Sequence, residues 1–207
     1  MMDENKKQIG ISIDDMMFMG LMVILPILSV LITSLILFIT IKNGNKVTEL
    51  IQTYLVMSLS FVILPGILLY KKYGLSLHDI GIMKLKNWEI LISLIILIIL
   101  YVYLIGKADS NTLILLSVQT IAVAVCEEVW ARGMLFYVIG KFTQSHFVMI
   151  LFSSIIFTFL IHINRGFYNN LIYRLPGAIL MCVVYDRSKK LHYSIMVHYM
   201  YNMLASF

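Results

Sequence analysis

Residues 122–133 read AVAVCEEVWARG. The stretch opens as membrane-grade apolar sequence. It then sets two carboxylates side by side, Glu127 and Glu128, with Arg132 four positions after the second. An ionisable side chain near the centre of a membrane helix costs about 2.5–3.5 kcal/mol on insertion scales, so it persists only where something offsets that cost. On a helix Glu128 and Arg132 share a face in the favourable acid-first order and can pair. Glu127 points about 100° away and is left without that partner. One carboxylate thus reads as structural and the other as available. A carboxylate in an apolar setting suits a general base working near neutral pH.

The rest of the chain supports the membrane reading. Of its 207 residues 60% are hydrophobic and 13% charged, and the mean hydropathy is +0.91. Apolar runs of about 18 residues or more argue for membrane spans. Seven can be marked: Met16–Ile41, Leu50–Tyr70, Trp88–Gly106, Leu113–Ile139, Phe147–Ile163, Leu171–Tyr185 and Tyr193–Phe207. The expected fold is an all-α integral membrane protein, a multi-span helical bundle of about seven transmembrane segments. The sixth and seventh runs are short for a full span, which tilt or flanking polar turns would accommodate. Pro26 and Pro65 fall inside the first two, where membrane helices tolerate them. The longest connection, KKYGLSLHDIGIMKLKN from Lys71 to Asn87, reads either as an amphipathic surface segment or as a solvated loop.

Charge orients the chain. The formal net charge is +5, and no basic patch with interleaved aromatics points to nucleic acid. If seven spans alternate, one face carries Lys6, Lys7, Lys71, Lys72, Lys84, Lys86, Lys141, Arg187, Lys189 and Lys190. The other carries Lys42, Lys46, Lys107, Arg165 and Arg174. The excess makes the first face cytoplasmic, with the N-terminus inside and the C-terminus outside. The Ile-, Lys- and Asn-rich composition fits a low-GC bacterium, so the expected location is a bacterial plasma membrane. Cys126 and Cys182 both lie in apolar runs and form no CxxC pair, so neither a disulfide frame nor a thiolate metal site is expected.

Further polar residues interrupt the later runs. FSSIIFTFLIH ends in His162, and HYMYN places His198 and Asn202 four apart on one helix face. At about 1.5 Å per residue from the ends near Gly140, His146 and Lys190, Glu127 lies roughly 20 Å deep, His162 roughly 24 Å and His198 roughly 12 Å. The first two depths match; the third leaves a gap. Each polar residue alone reads equally as interhelical hydrogen-bonding glue. A free glutamate, two histidines and an asparagine on three helices together point to a site.

At these residues the chain resembles the CPBP intramembrane proteases, which include CAAX prenyl endopeptidases and bacterial relatives tied to bacteriocin processing and self-immunity. The family pattern EExxxR appears as EEVWAR, Glu127 to Arg132, followed by Gly133. The pattern HxxxN appears as HYMYN. The pattern FxxxH is altered: Thr158 stands four before His162, between Phe157 and Phe159. Either the aromatic position has moved or Thr158 replaces it. The resemblance implies N-terminal spans over 1–110 and a four-helix catalytic core over 111–207. It implies an intramembrane endopeptidase acting on a hydrophobic or lipidated peptide. Glu127 would activate water with help from His162, His198 and Asn202 would stabilise the oxyanion, and Glu128 and Arg132 would hold the site together. A zinc ion held by Glu127, His162 and His198 is the open alternative; the HExxH spacing of helical zinc proteases is absent. The preferred mechanism is metal-free, with cleavage near the cytoplasmic side.

Two other functions compete: a non-catalytic peptide-binding or bacteriocin self-immunity protein, and a proton-coupled transporter. No inverted repeat or paired broken helices support the transporter.

Overall fold

The computed structural model describes residues 12–40 and 45–207. Seven helices account for most of them: α1 Ile13–Thr40, α2 Lys46–Tyr73, α3 Asn87–Ile105, α4 Ser110–Ile139, α5 His146–Ile161, α6 Phe167–Ser188 and α7 Leu191–Ala205. No strand occurs among the described residues. All seven apolar runs are helices. Five of them are long and apolar enough to cross a membrane: α1, α2, α3, α4 and α6. The short ones are α5 and α7: the seventh run is short as expected, but the fifth run is the other short one and the sixth is not. The sixth run gains length because Phe167–Asn170 joins it ahead of the expected start.

α4 is the central element. Half of its most apolar window is buried inside the protein, against 17–28% for the other four long helices. Two apolar clusters form around its lower half. Trp130, Leu135 and Ile139 pack with Val23, Phe61 and Ala178. Met134, Phe136 and Val138 pack with Met22, Leu69, Ile80 and Leu191. α1 is also bound by polar contacts: the Trp130 indole N–H donates to the Met22 carbonyl at 3.0 Å, and the Ser60 hydroxyl donates to Ser29 at 2.9 Å.

π-helical turns recur. They span Ser58–Ile63, Val129–Leu135, Phe157–Ile161 and Asn170–Arg174. Two of them immediately precede a proline, Pro65 and Pro176. A proline ring collides with the carbonyl four residues earlier, and a widened turn relieves that collision.

The Lys71–Asn87 connection is not a surface helix. Gly74 closes α2 at φ 64°, a turn follows, and Ile80 enters the bundle with 2% of its surface exposed. Gly133 makes room for it, since a Cβ there would stand 3.0 Å from the Ile80 Cβ. Gly81, at φ 80°, accepts from the Leu191 N–H at 2.9 Å. α7 therefore starts level with Gly133, well inside the bundle. Cross-links tie the ends bearing most of the basic residues: Lys72 with Asp15 at 3.0 Å, His146 with Asp186 at 2.7 Å, and Lys190 with Glu89. Lys6, Lys7 and Lys42 of the charge count lie outside the described residues.

Candidate active site

The buried charges of α4 meet α6 and α7. Glu128 and Arg132 are fully buried and bond at 2.7 Å. The same Glu128 oxygen faces His198 Nδ1 at 2.8 Å, and its other oxygen accepts from the Ser194 hydroxyl. Arg132 uses its second terminal nitrogen on the Ala178 carbonyl at 3.0 Å, and its guanidinium lies 4.5 Å from the centre of the Phe157 ring. Glu128 is thus more than half of an ion pair. It fixes one ring nitrogen of His198, because an ionised carboxylate only accepts and Nδ1 must then carry hydrogen.

That fixes where the other nitrogen points. His198 Nε2 stands 3.6 Å from Glu127 Oε2, and His162 Nε2 stands 3.9 Å from the same oxygen. Both separations exceed a direct hydrogen bond. Glu127 is 5% exposed and makes no hydrogen bond among the described residues, as its position off the Arg132 face implies. Glu127, Glu128, Arg132, His162 and His198 are brought together. The gap in helix depth closes through Ile80. Because α7 begins level with Gly133, His198 lies seven residues in and Glu127 six residues up α4, about 10 and 9 Å by helical rise.

Asn202 lies one turn beyond His198 on α7 and is half-buried; its backbone carbonyl accepts from Ser206, and its amide bonds nothing among the described residues. It is not in direct contact with the Glu127 group. Its position leaves it free for a ligand.

The altered aromatic motif is resolved by the π-turn Phe157–Ile161. An α-helix aligns residues four apart, whereas a π-turn aligns residues five apart. Phe157 rather than Thr158 therefore takes the aromatic position. Its ring packs edge-on against His162 at 5.1 Å and against His198 at 6.1 Å. Thr158 is fully buried, with a hydroxyl that has no partner. His162 ends α5 in a non-helical conformation, and Asn170 donates to its carbonyl at 2.8 Å.

Sequence reading missed Phe157 as the packing aromatic, and it missed Ser194 entirely. Ser194 stands four before His198, so the helical face that carries His198 and Asn202 already included it. The half-buried Arg174 was counted only among the charges of one face; it sits at the end of a π-turn in α6.

A cavity of roughly 340 Å³ leads to Glu127 and His162, walled by apolar residues of α1 and α2 such as Leu31, Met57 and Phe61, with Asn164 and Arg165 at its rim. It runs towards the turn that follows His162, at the end of the bundle opposite the paired basic residues. α5 carries His162 at its far terminus, so the loop after it forms the mouth.

The donor set can be tested against zinc. Ligand atoms about 2.0 Å from a tetrahedral zinc stand about 3.3 Å apart. The two separations from Glu127 are wider, and among the described residues no three His, Cys, Asp or Glu side chains are grouped to hold a metal. As placed, the three atoms stand a few tenths of an ångström wider apart than zinc ligands would.

Fold and site define a class: a multi-pass, all-α membrane protein whose buried carboxylates and imidazoles meet inside the helical bundle. Residues 109–204 match the family Rce1-like, type II CAAX prenyl endopeptidase Rce1-like, and this match to the C-terminal part supports the CPBP/CAAX protease family. The match begins at the start of α4 and ends in α7. No curated protein and no solved structure matches the chain.

Proposed function

We propose that this protein is an intramembrane endopeptidase that hydrolyses a hydrophobic or lipidated peptide without a metal ion. One observation carries the reading: a buried, unpaired Glu127 oxygen faces the Nε2 atoms of two histidines at 3.6 and 3.9 Å. A water between Glu127 and a histidine would bridge separations that are too long for a direct hydrogen bond. Glu127 takes a proton from that water as its oxygen bonds to the scissile carbonyl carbon. The carbonyl electron pair moves onto oxygen. As the C–N bond breaks, the proton passes from Glu127 to the leaving nitrogen. General acid–base help of this kind contributes about 10²–10⁴-fold.

The roles of the other residues follow from charge and hydrogen bonding. His198, held at Nδ1 by Glu128, faces the reacting centre with Nε2 and is assigned to the developing oxyanion. The Asn202 amide is a second donor. His162 orients the water. Phe157, against both histidines, keeps bulk solvent from their ring faces. The orientation proposed from the basic ends puts the N-terminus in the cytoplasm of a bacterial cell.

The test compares peptide termini in membranes of cells carrying wild-type protein or Glu127→Gln at matched level. Loss of defined cleaved termini in the variant supports the proposal and names the substrate. Unchanged termini, with any immunity phenotype intact, would make the chain a peptide binder on a protease fold. A chelator arm separates mechanisms: cleavage that survives chelation supports the metal-free route, and cleavage restored only by zinc overturns it.

A further inference from the structure

The mouth of the Glu127 cavity carries two positive charges without counter-ions among the described residues. His162 ends α5, a short 3₁₀ turn Ile163–Arg165 follows, and Asn164 and Arg165 stand at the rim. At about 2.0 Å of rise per residue, that turn carries the chain only about 6 Å from His162. α6 then returns past the site and is pinned there twice. Asn170 donates to the His162 carbonyl at 2.8 Å, and the Tyr201 hydroxyl donates to the Tyr173 carbonyl at 3.0 Å. Arg174 follows Tyr173 directly, one turn after Asn170. It lies close enough to Arg165 for the two charges to repel, and within electrostatic reach of Glu127 without pairing with it.

The carboxylates that form ion pairs are committed elsewhere. Asp15, Glu89 and Asp186 bind cations at the opposite end of the bundle, and Glu128 is taken by Arg132. Residues 41–44 read IKNG and contain no acid. The Arg174 Nε atom is closed to solvent and bonds nothing; its terminal nitrogens are open and equally unbonded among the described residues. Two neighbouring arginines in a membrane bundle are costly unless something neutralises them. They stand on the face with fewer basic residues, so the orientation of the chain does not require them. Arginine, unlike lysine, presents a planar fork that grips a carboxylate through two parallel bonds.

We propose that Arg165 and Arg174 form a carboxylate-binding subsite at the cavity mouth, and that the substrate is a hydrophobic peptide bearing a carboxylate on the mouth side of the cleaved bond. The proposal rests on the reading of Glu127 as the hydrolytic base. Position favours a peptide over an anionic lipid, because one cavity joins Arg165 to Glu127. A chain held at the reacting centre therefore continues to the arginines. At about 3.3 Å per extended residue, the carboxylate lies only a few residues from the cleaved bond. It belongs either to an Asp or Glu side chain or to the chain terminus. The subsite also sets register. The apolar walls at Leu31, Met57 and Phe61 would let a hydrophobic peptide slide, and a few placed polar groups fix it.

The experiment measures binding to the full chain carrying Glu127→Gln in phosphatidylcholine nanodiscs, so that cleavage does not consume the probe. The probe is a dye-labelled Ala/Leu octapeptide in three forms: neutral with an amidated end, neutral with a free carboxylate, and amidated with one Asp near the end. At least one carboxylate form should bind about tenfold or more tighter than the neutral amide, and whichever does names the source. Arg165→Gln and Arg174→Gln should each weaken that preference and leave the Kd of the neutral amide unchanged; Arg174→Lys should restore part of it. Arg165 stands on an exposed turn, so its variant reads the subsite even where Arg174→Gln folds poorly. Equal binding of the three forms, or a preference untouched by either variant, overturns the subsite. So does arginine-dependent association of phosphatidylglycerol with no preference among the peptides, which would make the pair a lipid-headgroup site. The hydrolytic reading is tested apart, by the peptide termini lost with Glu127→Gln, so its failure and that of the subsite are read separately.

Discussion

α3 and α4 are both apolar enough to cross a membrane, α3 the more so with a mean hydropathy of 2.6 against 1.7, and they differ in what they bury. Half of the apolar window of α4 is buried in protein, but only 17% of that of α3. α4 holds Glu127, Glu128 and Arg132 at its core. α3 attaches along one edge, through Leu100 and Leu104, the hydroxyl of Tyr101 on Ser117 and Tyr199, and Glu89 at its first turn. Hydropathy alone does not separate a lipid-facing helix from a core helix, because both are dry. The separating signal is the cost of charge: only a helix surrounded by protein can satisfy three ionisable side chains in two turns.

The largest expected effect tests that statement directly. Arg132→Ala leaves Glu128 buried with a charge and a lost partner. Breaking a buried pair in this way costs about 3–5 kcal/mol, so the variant should be poorly folded and inactive. Glu127→Gln should differ: cleavage falls by about 10²–10⁴-fold while thermal stability in detergent stays near wild type, since Glu127 bonds nothing. Equal loss of stability in the two variants would erase the distinction between structural and available carboxylates.

A middle-sized effect tests the Ile80 wedge. Gly133→Ala brings a methyl to 3.0 Å from the Ile80 Cβ, an overpacking of the kind that costs about 1–3 kcal/mol. Ile80→Ala in the same chain should recover part of that loss. An additive double variant would mean that Gly133 is required for some reason other than Ile80.

These devices mark the limit of what the sequence carries. The helices were legible because each is a long apolar run, and the pairing of Glu128 with Arg132 was legible because it is local, four residues apart. His162 and His198 were legible as oddities. Their common depth with Glu127 was not, because it depends on Ile80, a residue 47 positions before Glu127, entering the bundle and setting where α7 starts. The aromatic motif was misaligned because a π-turn adds one residue without any composition to announce it. The roles of Phe157 and Thr158 are therefore a further test. Phe157→Leu should destabilise by about 1–3 kcal/mol through lost packing and lost contact with the guanidinium. Thr158→Val removes a buried hydroxyl that has no partner and should be neutral or stabilising. The reverse order would restore Thr158 to the motif.

The smallest effect falls on α3. Ile98 is 62% exposed on a face that meets no other described helix. Ile98→Ala exchanges one lipid contact for another, since the side chain stays in hydrocarbon whether or not the bundle is assembled. The change in stability should lie within about 0.5 kcal/mol, measured by thermal unfolding in lipid nanodiscs. Leu104→Ala, fully buried on the opposite edge of the same helix, should cost about 2–5 kcal/mol. A large loss at Ile98 would show that this face is covered in the membrane, and α3 would then be an interface helix rather than the outer edge of the bundle.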